Sequence, residues 1–176
     1  MEFVAAMHIF IKLFLTSMNI CRFKSGPQAL SRSPEFLRCG LYLYIGVNSA
    51  LIMLSMTWVN GLLQVFVQLG LLVGFTWGVL FIFGNVQRFS QTLTALLGVD
   101  SIISFCSLPV VGLLKLGMLP EKGFLLFLVI MLWHWAVMGH IFRHALSRSL
   151  ASGLGLSFLF FYGSYYVIFL LPRPII

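Results

Sequence analysis

The sequence predicts an all-α membrane protein, a polytopic bundle of five transmembrane helices preceded by an amphipathic interfacial helix. Composition is the first reason: 60% of the 176 residues are hydrophobic and only 9% are charged. A soluble domain of this size could not bury so many hydrophobic residues in its core. The second is a set of apolar runs near the ~20 residues that a helix needs to cross the ~30 Å hydrocarbon layer. The runs lack the alternation of barrel strands. They are Gly40–Trp58, Leu62–Phe83, Thr92–Leu114, Gly123–Ile141 and Leu150–Leu171.

Ahead of the first run, apolar residues recur at helical spacing through the first twenty positions, with polar residues between them. This pattern favours a helix lying in the cytoplasmic interface, with its apolar stripe in the acyl region. A short sixth span stays open as the alternative. A link with Gly-Pro and Ser-Pro pairs follows, which is typical of a break between helices. We therefore divide the chain into 1–38, the N-terminal helix and basic segment, and 39–176, the five-helix membrane domain.

The net charge of +7 is distributed unevenly along the chain. Eight of the eleven Lys and Arg residues lie on one side of the predicted spans. Short loops rich in these residues stay in the cytoplasm, so the N-terminal segment is predicted to be cytoplasmic and the C-terminus to lie outside. The scatter of the charges disfavours nucleic acid, and the N-terminal segment suits anionic lipid headgroups. Its interfacial basic residues are Arg22, Lys24, Arg32 and Arg38.

Two sets of residues spaced four positions apart mark the second run. Gly70, Gly74 and Gly78 put three positions without side chains on one stripe, which we interpret as a surface where another helix packs closely. Amide side chains form the other series, which begins just before the run and consists of Asn60, Gln64 and Gln68. Gln68 is about 200° from Gly70 around the helix, so the two series face different neighbours. Interhelical hydrogen bonding is the simpler interpretation of the amides, and a solvated conduction path is the alternative.

Asp100 is the one acidic residue within a predicted span. It lies roughly 12 Å from the cytoplasmic start of the third run, and a carboxylate at that depth normally faces the bundle interior. Ser104 continues the same helical face. His134 lies at a similar depth in the fourth run, which descends antiparallel, so an Asp100–His134 contact is geometrically possible. The pair is either a polar contact that fixes helix register or a proton-binding relay.

No catalytic or metal-binding pattern stands out. His140 and His144 lie one helical turn apart, as metal-chelating histidines do, but a third ligand is not evident and we expect no metal. Serine nucleophile motifs, phosphate-binding glycine loops and paired carboxylates are missing, so we expect neither catalysis nor a cofactor. Cys21, Cys39 and Cys106 have no CxxC spacing, and we expect no disulfide framework.

Two short stretches carry a resemblance to a known family. They are residues 26–34 (GPQALSRSP), before the first run, and residues 91–97 (QTLTALL), which open the third. Together with five clustered spans and a basic N-terminal segment, they resemble the Yip1-type membrane proteins, in particular the small bacterial inner-membrane members. The resemblance implies a multi-pass protein of the inner membrane and identifies no functional residues. The acidic, tyrosine-containing motif of eukaryotic members is absent from the sequence, so no role in vesicle traffic is carried over.

Two functions follow from these patterns. The interpretation that we favour from the sequence is a non-catalytic integral membrane protein, an accessory component that organises lipid or partner proteins in a membrane assembly. Its partners would be the lipid bilayer and other membrane proteins. The alternative is a small proton-coupled transporter or channel that uses Asp100 and His134.

Overall fold

The computed structural model describes residues 2–54, 57–118 and 120–170, which contain six α-helices and no strand. The helices are α1 (Glu2–Cys21), α2 (Pro34–Met53), α3 (Trp58–Ile82), α4 (Phe89–Lys115), α5 (Pro120–Leu146) and α6 (Leu150–Leu170). Helices α2 to α6 are long and apolar enough to cross a membrane, whereas the apolar part of α1 is shorter. The predicted bundle of five spans and a shorter N-terminal helix is confirmed.

The start of α2 differs from the sequence prediction by six residues. The helix begins at Pro34 and not at Gly40, because the Ser33 side chain caps it by accepting a hydrogen bond from the Glu35 backbone N–H at 3.2 Å. Proline is well suited to the first helical position, where its missing N–H has no partner to lose. The predicted division between residues 38 and 39 therefore falls inside α2, and Arg38 lies on that helix.

The connection between α2 and α3 also lies earlier than predicted. Trp58 opens α3 instead of closing the first span, and residues 59–61, which separate the first two apolar runs, belong to the first turn of α3. Thr57 precedes the helix in an extended conformation, and its hydroxyl accepts a hydrogen bond from Asn60 at 3.0 Å. The gap between the first two runs therefore marks the start of α3 and not the connection, because hydropathy does not register where a helix begins.

Helix α4 is the centre of the bundle and contacts α1, α2, α3 and α5. Four of its buried hydroxyls donate to the carbonyl four residues earlier, at 2.7–2.9 Å. They belong to Thr92, Thr94, Ser101 and Ser107. This local bonding satisfies polar side chains without a partner helix, as a water-free environment requires.

Helices α5 and α6 meet backbone to backbone at a pair of glycines. A Cβ atom at Gly153 would collide with the carbonyl oxygen of Gly139, and one at Gly139 would lie 3.1 Å from the Leu154 backbone. Two hydrogen bonds hold the helices here: Trp135 Nε1 donates to the Leu154 carbonyl at 3.0 Å, and Ser157 Oγ donates to the Trp135 carbonyl at 2.9 Å. Close packing on small residues therefore operates between α5 and α6.

The glycine stripe of α3 has no such neighbour. A Cβ atom at Gly70, Gly74 or Gly78 would meet nothing within 4 Å. Helix α3 instead buries a different face, which carries Leu72 and Thr76. For the described helices of this chain, the prediction that the stripe seats a neighbouring helix is therefore wrong.

Helix α1 packs against the bundle along one face. Leu13 and Ser17 are fully buried, and a Cβ atom at Gly98 of α4 would collide with the Ser17 hydroxyl. At the end of the helix, Trp133 Nε1 donates to the Cys21 carbonyl at 3.0 Å. The apolar stretch of α1, Met7–Cys21, is only about 22 Å long, less than the thickness of the hydrocarbon layer.

Candidate functional site

The interior site begins with an acid–imidazole pair. Asp100 and His134 lie near the middles of α4 and α5, which are each 27 residues long. His134 Nε2 is 3.3 Å from Asp100 Oδ1, and 17–18% of each side chain is exposed. The structure therefore contains the Asp100–His134 contact that the similar depths of the two residues in the sequence made possible. An N–H group at Nε2 is placed to donate to the carboxylate.

A third helix contributes to the site through Asn48 of α2. Its Nδ2 donates to Asp100 Oδ2 at 2.8 Å and to the Tyr44 carbonyl at 3.1 Å, while its Oδ1 accepts from Ser104 Oγ at 3.0 Å. Ser104 Oγ also lies 3.5 Å from Asp100 Oδ2. Ser104 is thus the buried hydroxyl of α4 that faces another helix. Both carboxylate oxygens have a polar partner, which compensates for their removal from water.

Asn48 was missed by the sequence reasoning, although a signal for it exists. It lies eight residues from the predicted start of the first run, and Asp100 lies eight residues from the predicted start of the third. Both runs rise in the same direction, so equal counts mean equal depth. The depth comparison that pointed to His134 would have found Asn48 as well.

A cavity of about 280 Å³ adjoins this network, and helices α2 to α6 all contribute to its lining. Its lining residues come from the half of each spanning helix that is nearer the α2–α3 and α4–α5 connections, or from the helix centre. By the predicted topology, this half faces outside. Beyond the network itself, the polar residues that line the cavity are Tyr44, Gln64, Gln68, Ser107 and Ser164.

Three of these side chains have donor and acceptor groups that are free to bind another molecule. The side chains of Gln64, Gln68 and Ser164 make no hydrogen bond within the described part of the chain. Aromatic rings complete the wall, and the edge of one, Phe161, packs against the His134 ring with centroids 5.0 Å apart. The cavity can therefore offer a carboxylate, an imidazole, free amides and π faces to a small polar or cationic molecule.

The second histidine pair faces the N-terminal link. The rings of His140 and His144 are 4.5 Å apart, and His140 Nε2 lies 3.1 Å from the Ser25 carbonyl oxygen. The Phe23 ring packs edge-on against His140 at 5.3 Å. No three His, Cys, Asp or Glu side chains converge as metal ligands in the residues that the structure describes. The link contact accounts for the position of His140.

The predicted interfacial basic residues separate into two groups. Arg22, Lys24 and Arg38 are exposed on α2 or on the link before it. Arg32 is exposed too, but it also lines a pocket together with arginines from other connections. Cysteines Cys21, Cys39 and Cys106 are all free thiols.

Comparison of the chain with protein-family models, curated proteins and solved structures found no match. The Yip1-type resemblance therefore stays an expectation from the sequence. The geometry around Asp100 is what bears on function.

Proposed function

We propose that the protein is a small proton-coupled membrane carrier that binds a polar solute beside the Asp100–His134 pair. The observation that carries the proposal is the 280 Å³ cavity next to an intramembrane carboxylate, with amides on its wall that are free to bind a guest. Ionisable groups within transmembrane helices commonly mark proton relays and substrate sites. The solute class that suits this lining is a small molecule with hydrogen-bonding groups, neutral or cationic.

The cavity separates this proposal from a purely structural interpretation of the polar network. A contact that only fixes helix register needs hydrogen-bonded partners and close packing, and it does not need a half-open cleft of about 280 Å³ beside it. Here the free volume has room for several water molecules, each of which takes about 30 Å³ in the liquid. Placing Gln64 and Gln68 on that space serves binding and does nothing for register.

The network supplies a way to couple solute to proton. Asp100 is held by Asn48 and Ser104 from one side and by His134 from the other. A proton between the carboxylate and the imidazole decides whether this wall of the cavity carries a negative charge. A solute that hydrogen-bonds to the carboxylate therefore competes with the proton, and that competition is the elementary step of proton-coupled transport.

The accessory, non-catalytic role is the second candidate, and one observation favours it: both Asp100 oxygens already have partners in the chain. On either proposal we infer a multi-pass protein of the bacterial inner membrane with a cytoplasmic N-terminal segment. The asymmetry of the basic residues supports the orientation, and the Yip1-type resemblance supports the membrane.

A measurement of proton flux in proteoliposomes distinguishes the carrier from the accessory role. Purified full-length chain is reconstituted with a pH-sensitive dye inside the liposomes, the membrane potential is clamped, and small amines and amides are added outside under a proton gradient. We expect protein-dependent proton movement that a subset of these solutes stimulates. Asp100→Asn keeps the shape and hydrogen-bonding capacity of the side chain but takes up no proton, so it should lose the flux while melting at the temperature of the wild type.

Ser101→Ala is the matched control, because Ser101 is buried on the same helix and its hydroxyl bonds only to the Leu97 carbonyl. This variant should keep the flux. If wild-type proteoliposomes move no more protons than protein-free liposomes, or if Asp100→Asn equals the wild type, the carrier proposal fails and the accessory role takes its place.

A further inference from the structure

A second pocket, of about 480 Å³, lies at the opposite end of the bundle from the cavity beside Asp100. Four of the chain's eleven basic residues line it: Arg32, Arg88, Arg143 and Arg148. They come from three connections that are distant in sequence, before α2, before α4 and around the end of α5. This is the end that the sequence predicts to be cytoplasmic, where lipid headgroups begin.

The end of α5 holds two of these arginines next to each other. Ser147 takes a left-handed backbone conformation with φ of 53°, and the Arg148 N–H donates to the Arg143 carbonyl at 3.0 Å. This six-residue closure is a Schellman cap, which normally uses glycine at the left-handed position. The cap folds the chain back so that residues 143 and 148 both face the pocket.

Arg88 then joins this cap to the start of α4. Its Nη1 donates to the carbonyls of His144 and Ala145 at 3.2 and 3.0 Å and lies 3.0 Å from Ser147 Oγ. A cation at the carboxyl end of a helix also offsets the helix dipole. Arg88 is therefore a structural part of the pocket wall, and we assign ligand recognition to the other three arginines.

Two further contacts position the remaining arginines. Gln91 Nε2 donates to the Leu30 carbonyl at 2.8 Å, which ties the link before α2 to α4 and so places Arg32. The Arg148 guanidinium lies 5.6 Å from the centre of the Phe83 ring, a cation–π distance. The pocket is thus assembled by contacts that hold before any ligand arrives.

Its positive charge has no counterpart within the described chain. None of the described residues that line the pocket is acidic. The ion pair found among the described side chains joins Asp100 and His134, far from this end of the bundle. Like charges gathered in a partly enclosed space repel each other, and an anion bound between them removes that cost.

We propose that this pocket binds a phosphate group carrying two or more negative charges, on a lipid headgroup or on a soluble phosphorylated compound. Planar guanidinium groups bind phosphate oxygens through paired N–H donors, so arginine suits this ligand better than lysine does. Thr92 and Gln28 add neutral polar groups to the lining. Basic pockets between helices on the cytoplasmic side are a known kind of headgroup site.

The test uses the detergent-purified full-length chain and two probes, phosphatidic acid measured by native mass spectrometry and inorganic pyrophosphate measured by calorimetry. Phosphatidylcholine, which has no net charge, is the lipid control. Arg143→Gln/Arg148→Gln should weaken binding of the probe by about tenfold or more, the loss expected for one charged hydrogen bond. Arg22→Gln/Arg38→Gln removes the same charge from positions outside the pocket and should change binding by about twofold at most, because salt screens charges that do not contact the ligand.

Saturable phosphatidic acid binding that the pocket variant loses and that pyrophosphate does not displace assigns the site to a headgroup. Pyrophosphate binding that the pocket variant loses assigns it to a soluble compound, and either result supports the site. An equal loss of binding in both double variants would show that the probes are attracted to surface charge in general and would contradict the proposed site. Absence of saturable binding by both probes would contradict it as well. If the pocket variant does not fold, Arg32→Gln replaces it, since that side chain is exposed on the link.

Discussion

Asn48 on α2 donates a hydrogen bond of 2.8 Å to Asp100 on α4, across 52 positions of sequence. The same amide accepts from Ser104, so one side chain ties α2 to α4 through both of its polar atoms. With the His134 contact, three spanning helices meet at one carboxylate. The position of Asp100 therefore depends on how α2, α4 and α5 pack together.

The first prediction concerns Asn48 itself. Asn48→Ala removes the donor to Asp100 and the acceptor for Ser104, leaving the buried Ser104 hydroxyl and the part-buried Asp100 carboxylate short of a partner. We expect the free energy of unfolding to fall by about 1–3 kcal/mol, measured by denaturant unfolding in mild detergent. Asn60→Ala is the control, because Asn60 bonds only to Thr57 at an exposed helix start. Equal losses in the two variants would show that the interior network adds no special stability.

The second prediction compares two glycines that sequence alone would treat alike. Gly153→Leu places a side chain where the backbones of α5 and α6 touch, and we expect it to cost at least about 1–3 kcal/mol, as overpacking does. Gly74→Leu adds the same side chain facing open space and should change stability by about 0.5 kcal/mol or less. The measurement is thermal and denaturant unfolding of the monomer. Strong destabilisation by Gly74→Leu would reveal a neighbour on the α3 stripe, for example a second copy of the chain.

The third prediction tests whether the cavity is open to water from outside. In a background without native cysteines, Gln68→Cys lines the cavity and Gly74→Cys lies on the exposed face of α3. Thiols react as thiolates, which form in water and not in lipid. A membrane-impermeant thiol reagent added outside should therefore label position 68 and leave position 74 unlabelled. No labelling at position 68 in intact cells would mean that the cavity is closed to that side.

The fourth prediction concerns orientation. Because eight of eleven basic residues lie on one side, the C-terminus should lie outside the cytoplasm. Green fluorescent protein fused after Ile176 should stay dark, and alkaline phosphatase fused at the same place should be active. Residue 176 lies beyond the described residues, so the fusion tests the sequence prediction directly. Bright fluorescence would invert the topology and, with it, the proposed side of the arginine pocket.

The fifth prediction uses Cys21 to test the docking of α1. Burial raises the pKa of the Cys21 thiol to about 12, and the residue is 1% exposed. At pH 7 the thiol is therefore almost fully protonated and shielded. A variant with Cys21 as its sole cysteine should react with maleimide much more slowly when folded in detergent than after unfolding in dodecyl sulfate. Equal rates would show that α1 leaves the bundle.

The membrane class, the number of spans and the possibility of an Asp100–His134 contact could be predicted from the sequence, because each has a local physical cause. The thickness of a bilayer sets the length of a spanning helix, so an apolar run of that length identifies a span. A fixed rise per residue converts position along a run into depth, so Asp100 and His134 could be matched by counting. Helix ends were less accurate, as at Pro34 and Trp58, because caps and not hydropathy decide them.

Tertiary structure alone decided which way each helix faces. In a soluble protein an apolar stripe marks the buried side, but lipid is as apolar as a protein core, so membrane helices carry no such mark. Gly70, Gly74 and Gly78 therefore read as a packing surface, although the glycines that contact another helix most closely are Gly98, Gly139 and Gly153. The arginines at the end of the bundle converge for a similar reason: they come from three connections whose meeting depends on helix packing and on the cap at Ser147. The depth of a residue in the membrane can be predicted from its position along a run, whereas the rotation of each helix about its axis is determined only when the helices pack.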